Sequence, residues 1–243
     1  MTTAPQRIAL APARTRLWLV VLLLALAGAG WWRSVDTTRG MDEGSWTSLG
    51  TLGWFLGVWV VMTAAMMLPS VWPTVTLYSR MLEERSPLSP LLFVVGYLAT
   101  WTAVGVLAFT LAEAGGNVVG DVFAWDRAGR WLAGATLLGA ALYELTPFKD
   151  ACLGRCRSPF GFLVRAWQDG PGGAVRMGAK HGAWCVGCCW ALMASLFALG
   201  AMSVTWMAFV AALIAFEKLI RWRGVATGAT ATVLAALAVV LVV

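Results

Sequence analysis

Seven apolar stretches dominate this chain, near residues 17–32, 49–77, 90–112, 131–148, 182–200, 204–219 and 224–243. A helix that crosses a bilayer needs about 20 mostly apolar residues, with a working range of roughly 17–25. Each stretch meets or approaches that length. Charged or Gly/Pro-rich connectors at 33–48, 80–89, 113–130 and 149–181 separate the first five, and short ones near 201–203 and 221–223 separate the rest. No segment alternates apolar and polar with period two, so a lipid-facing β-barrel has no support. Composition closes the other routes. Hydrophobic residues make up 60% of the chain and charged ones 12%, where a soluble domain carries about 25% charge. A soluble fold leaves roughly a third of its chain surface in water and has no place for so much apolar area. A soluble globular protein, a disordered tail and a secreted disulfide scaffold are thereby excluded. The sequence predicts an all-α, polytopic transmembrane helical bundle of about seven spans, one integral membrane domain over residues 1–243, with the lipid bilayer as its first partner.

The formal charge of +6 is a matter of placement. With the N-terminus and Arg7, Arg14 and Arg16 in the cytoplasm, threading seven spans puts Arg80, Arg85, Lys149, Arg155, Arg157, Arg165, Arg176, Lys180, Lys218, Arg221 and Arg223 on the same side. That is fourteen of the eighteen basic residues, and only Arg33, Arg39, Arg127 and Arg130 fall outside. Such a bias is the positive-inside signature of membrane topology, so the basic excess is not a nucleic-acid footprint. Arg14 and Arg16, the apolar run after them and the small residues Ala25, Ala27 and Gly28 also fit a cleaved signal peptide. Cleavage leaves six spans and the same map for the remainder.

Four departures from a purely apolar span bear on function. In the second span, Pro69 and Pro73 follow Ala65-Met66-Met67-Leu68. Proline removes a backbone donor and clashes one turn back, so a broken helix near the midplane is expected, a common pointer to a site. Met62 and Met66 share a face, with Met67 beside them, as thioether candidates; soft packing filler is the bland alternative.

The fifth span opens with His181, the only histidine, followed by Cys185, Cys188 and Cys189. At 100° per residue these four fall within about 100° of arc on one helical stripe. The i, i+3, i+4 spacing lets neighbouring sulfurs converge on one soft ion, although buried Cys also serves as a small apolar residue. The fourth connector carries Cys152 and Cys156, four apart and on one face if helical. Lys149, Arg155 and Arg157 nearby are expected to favour their thiolates. Residues 160–167 read as a short interfacial helix, ended by Asp169-Gly170-Pro171. Glu144 and Glu217 fall within or at the ends of the fourth and sixth spans, where ionisable groups are costly and point to function; pairing with Lys149 or Lys218 is the alternative.

These same segments carry a family resemblance. Ala65-Met66-Met67-Leu68-Pro69, the run from Thr146 through Cys152-Leu153 to Arg157-Ser158-Pro159, and His181-Gly182 through Cys185-Val186-Gly187-Cys188-Cys189-Trp190 to Met193 resemble a bacterial family described as predicted metal-binding integral membrane proteins. The likeness covers the chain from about Trp46 to Lys218. It implies a multi-pass protein of the bacterial inner (plasma) membrane with a proposed metal site, and supplies no reaction or substrate.

The leading expectation is metal handling, with Cu(I) favoured over Zn. The available ligands are thiols, thioethers and one imidazole rather than a set of carboxylates. Cys185, Cys188 and Cys189 would form the main site, with His181 at its cytosolic edge. Cys152 and Cys156 would exchange the ion with the cytosol, and Met62, Met66 and Met67 would offer a weaker station. A metallochaperone or another membrane subunit is the implied partner. Three thiolates and an imidazole would equally make a closed Zn site. A membrane thiol or haem redox component, with haem ligation by His/Met or thiolate still open, is a second class, and a non-catalytic scaffold or assembly factor a third. The Gly-Lys-Ser/Thr core of a phosphate loop is absent, as are serine-nucleophile and dinucleotide fingerprints; standard soluble catalysis has little support, and the chain is not assigned as an enzyme.

Overall fold

The computed structural model describes residues 13–38, 51–82, 88–119, 127–199 and 203–243. Among them are nine α-helices and no strand: α1 (Ala13–Thr38), α2 (Leu52–Met81), α3 (Leu88–Val119), α4 (Arg127–Glu144), α5 (Pro147–Cys156), α6 (Pro159–Ala166), α7 (Gly170–Leu199), α8 (Val204–Leu219) and α9 (Arg223–Val242). The all-α expectation holds. Arg7, Arg39 and Arg85 of the charge map lie outside the described residues.

Four helices are long and apolar enough to cross a membrane: α2, α3 over Leu88–Ala114, α7 and α9. Among the described residues the other three expected spans do not meet that standard: α1 shows an apolar stretch over Val20–Arg33, α4 has 18 residues with two arginines in its first turns, and α8 has 16 residues. The 149–181 connector is not a loop. It folds as α5, α6 and the first turns of α7, so the helix bearing the cysteines starts at Gly170 rather than near Gly182. Its prolines explain the layout: Pro147, Pro159 and Pro171 each sit in the opening turn of one of these helices, where a missing N–H costs nothing. Gly170 adopts φ +78°, a left-handed conformation natural to glycine, and turns the chain from α6 into α7.

The expected break in α2 does not occur. The helix runs unbroken through Pro69 and Pro73. Hydroxyls beside the prolines bond the neighbouring backbone: Ser70 Oγ donates to the Met67 carbonyl at 2.8 Å and Thr76 Oγ1 to the Pro73 carbonyl at 3.0 Å. These bonds reinforce the turns beside the prolines; the carbonyls the prolines leave without a helical donor are those of Ala65 and Pro69, four residues back. Met62, Met66 and Met67 are all buried on α2 within the main core.

Helix α7 is the centre of the bundle, packed against α3, α4, α5, α6 and α8, while α1 lies on α2 and α9 on α4. Its apolar window is 61% buried, against 33–44% for the other three long helices. The tightest seam joins α3 to α7. A Cβ on Gly96 would run into the Val175 carbonyl, and one on Gly178 into the Phe93 carbonyl. One on Gly182 would come within 3.0 Å of the Tyr97 carbonyl and of Thr100 Cβ. Thr100 Oγ1 also donates to the Ala179 carbonyl at 3.2 Å. Small residues of this spacing let two backbones touch. Alanine at Gly96 or Gly178 meets backbone rather than a movable side chain. Each substitution is therefore expected to destabilise by about 1–3 kcal/mol, read as a lower midpoint in detergent-induced unfolding; an unchanged midpoint would refute the seam.

Candidate metal centre

Helical periodicity brings Cys185 and Cys188 to one face of α7, and that face meets α5. There Cys156, the last residue of α5, completes a cluster: the sulfurs of Cys156, Cys185 and Cys188 all lie within 4.8 Å of one another. Cys188 Sγ and Cys156 Sγ are 3.7 Å apart. Cys185 and Cys188 are buried at 1% exposure, and Cys156 is half-buried, so the cluster opens toward α5. All five cysteines are free thiols.

Cys185 has the richest surroundings. Tyr97 Oη on α3 lies 3.0 Å from its sulfur, and Lys218 Nζ on α8 donates to it at 3.4 Å. Lys218 also donates to Ser70 Oγ at 2.9 Å, tying α8 to α2 beside Pro69. A polar hydroxyl and an ammonium aimed at one buried sulfur make the surroundings of a thiolate. Sequence reasoning missed Tyr97 and Ser70, and treated Lys218 only as a carboxylate partner. No local signal marks them, because each reaches the site from a different helix.

The other candidates are placed as follows. Cys189 is buried, but its thiol donates back to the Cys185 carbonyl at 2.9 Å, and it stands outside the trio. The Cys188 thiol makes a similar bond to that carbonyl at 3.1 Å. Cys152 faces Gly187 of α7, where an added Cβ would lie 2.8 Å from its sulfur; it too is outside the trio. His181 is 3% exposed, ringed by Phe93, Tyr97 and Phe162 at centroid distances of 6.0, 6.1 and 4.8 Å. Its Nδ1 has no partner among the described residues, and it is not one of the three clustered ligands.

Glu144 and Glu217 both pair with Lys149, not with Lys218. The expected influence of basic residues on the α5 thiols is also redirected. Lys149 is committed to the carboxylates, the Arg155 guanidinium lies over the Trp184 ring at 3.9 Å, and Arg157 donates to the Glu217 carbonyl at 3.3 Å. Burial consequently pushes the Cys152 thiol up, with Arg155 only a minor opposing influence. The Cys156 thiol is held well above its ordinary range by hydrogen bonding with Cys185 and Cys188 and then by burial. The expected lowering by local charge is overturned because those charges find tertiary partners.

Three convergent thiols suit a soft metal ion. Fold and site together define a helical bundle built around a buried trithiol cluster. The chain belongs to the PpoB2 copper chaperone family, whose model matches residues 56–241. The match extends through α9, past Lys218 where the resemblance read from the motifs stops. No curated protein and no solved structure matches the chain.

Proposed function

We propose that this protein binds Cu(I) on Cys156, Cys185 and Cys188 within a membrane and passes it on as cargo. The observation that carries the reading is the trithiol cluster itself, found in a chain of the copper chaperone family. Copper is preferred to zinc on ligand count. A closed zinc site takes four ligands, whereas only three sulfurs cluster mutually, Cys189 and His181 are not among them, and the carboxylates are committed to Lys149. Two or three thiolates suffice for Cu(I) as a soft ion. A bilayer around the bundle is supported by the four long apolar helices and by exposed apolar side chains on them such as Leu107, Leu111, Val239 and Val240. On the seven-span threading, in which α1, α4 and α8 cross as well, the positive-inside map orients α5 and the opening of the cluster to the cytosol, in a bacterial inner membrane. Cys156, the least buried ligand, is the point where a metallochaperone or a membrane partner would exchange the ion, and Met62, Met66 and Met67 on α2 offer thioethers for a weaker onward station.

The test is an anaerobic titration of the purified, reduced full chain with Cu(I) against a chromophoric Cu(I) chelator, followed by X-ray absorption. One Cu(I) per chain with only sulfur neighbours, not displaced by excess Zn(II), is expected. Failure to retain Cu(I) would reject the reading. A thiol redox component is the second reading, favoured by the 3.7 Å between the Cys156 and Cys188 sulfurs; reversible disulfide formation without metal retention would select it.

A further inference from the structure

The ion cluster of Glu144, Lys149 and Glu217 joins three helices. Lys149 Nζ donates to Glu144 Oε2 and lies 2.8 Å from Glu217 Oε2 and 3.0 Å from its Oε1. The three side chains are at most 2% exposed. Two carboxylates therefore share one ammonium in a dry setting. Among the described residues no other cation is paired with these carboxylates. Arg157 is spent on the backbone carbonyl of Glu217, Arg223 pairs with Asp150 at 3.5 Å, and Lys218 points to Cys185 and Ser70. Neighbouring Tyr143 gives its hydroxyl to the Gly187 carbonyl. A second observation is independent of this count: Glu144 Oε1 is buried with no hydrogen-bond partner among the described residues. An anionic oxygen in that position would be desolvated and unpaired, whereas a protonated carboxyl there leaves the cluster neutral.

We propose that the Glu144–Lys149–Glu217 cluster is a proton-binding site, holding one exchangeable proton on its carboxylates, and that its occupancy is linked to cargo at the thiol cluster. The linkage rests on the copper reading. Glu217 and Lys218 are consecutive on α8 yet face different sites, one the carboxylate cluster and the other Cys185. Helix α5 similarly carries Lys149 near its start and Cys156 at its end. Cu(I) arriving on the sulfurs displaces their thiol protons, so the trio gains one positive charge but releases more than one proton; it becomes more negative, which favours retention of the carboxyl proton. By reciprocity, protonating the cluster favours retention of the cation, and loss of that proton favours its release. No covalent bond changes at the carboxylates beyond O–H breaking or forming, with the proton exchanged with water.

Difference infrared spectroscopy of the purified full chain in lipid nanodiscs tests this. The metal-free protein at neutral pH is expected to show one carbonyl band of a water-shielded protonated carboxyl. Glu144→Gln or Glu217→Gln should remove it, and Cu(I) loading should raise the pH at which it is lost in the wild type. Absence of the band, or its survival in both variants, would overturn the proton site. A pH of band loss that is unaltered or lowered while Cu(I) binds would overturn the linkage. If the wild type takes up no Cu(I) but the band is lost in the variants, the proton site stands and the copper reading fails. Because either glutamine variant reads the band, misfolding of one leaves the other to decide.

Discussion

Serine in place of Cys156, Cys185 and Cys188 together should leave no measurable Cu(I) on the purified protein. Loss of an outer partner of a metal ligand costs about 10–100-fold in affinity, and loss of a ligand itself should cost more. Each single serine variant is therefore expected to weaken binding by more than about 100-fold, while Tyr97→Phe and Lys218→Met, which alter the surroundings of Cys185 Sγ, should fall within that 10–100-fold range. The control is Cys152→Ser. Its sulfur packs on Gly187 away from the trio, so Cu(I) retention should be unchanged. Chelator competition under reducing conditions reads all of these. Equal loss in the Cys152 variant and the trio variants would place the site elsewhere.

Lys149→Met should be the most destabilising single substitution in the bundle. It leaves Glu144 and Glu217 facing each other in the interior without their shared cation. Removing one member of a buried ion cluster costs about 3–5 kcal/mol, because the charge left behind is uncompensated. Adding Glu144→Gln and Glu217→Gln to Lys149→Met removes that charge, and the triple variant should recover most of the loss. Detergent-induced unfolding followed by tryptophan emission, with fifteen Trp in the chain, measures the order. A triple variant no better than Lys149→Met would show that packing of the lysine stem, and not charge, holds α4, α5 and α8 together.

The site was partly legible before any fold. Cys185 and Cys188 share a face because 3.6-residue periodicity is a local property, and two of the three clustered ligands follow from it. The third does not. Cys189 is adjacent on the same stripe, yet its thiol turns back to the Cys185 carbonyl, and Cys156 from α5 joins instead. Periodicity places a residue on a face but says nothing of what meets that face. The prolines of α2 illustrate the opposite error. Pro69 and Pro73 signal a break by local rules, while the observed helix is continuous, with Ser70 and Thr76 hydroxyls bonded to its own carbonyls.

Charge shows the same division. The sequence by itself determined an apolar, all-helical chain with a basic bias between its apolar stretches and a cysteine stripe on one of them, because hydropathy and helical period act over neighbouring residues. Which cation serves which group was settled by the packing of the helices. Lys149 goes to two carboxylates, Lys218 to a sulfur and Arg155 to an aromatic ring. Those choices depend on which helices meet α7 and α8 in space. In a dry interior each buried charge must find its partner there, whatever its distance along the chain.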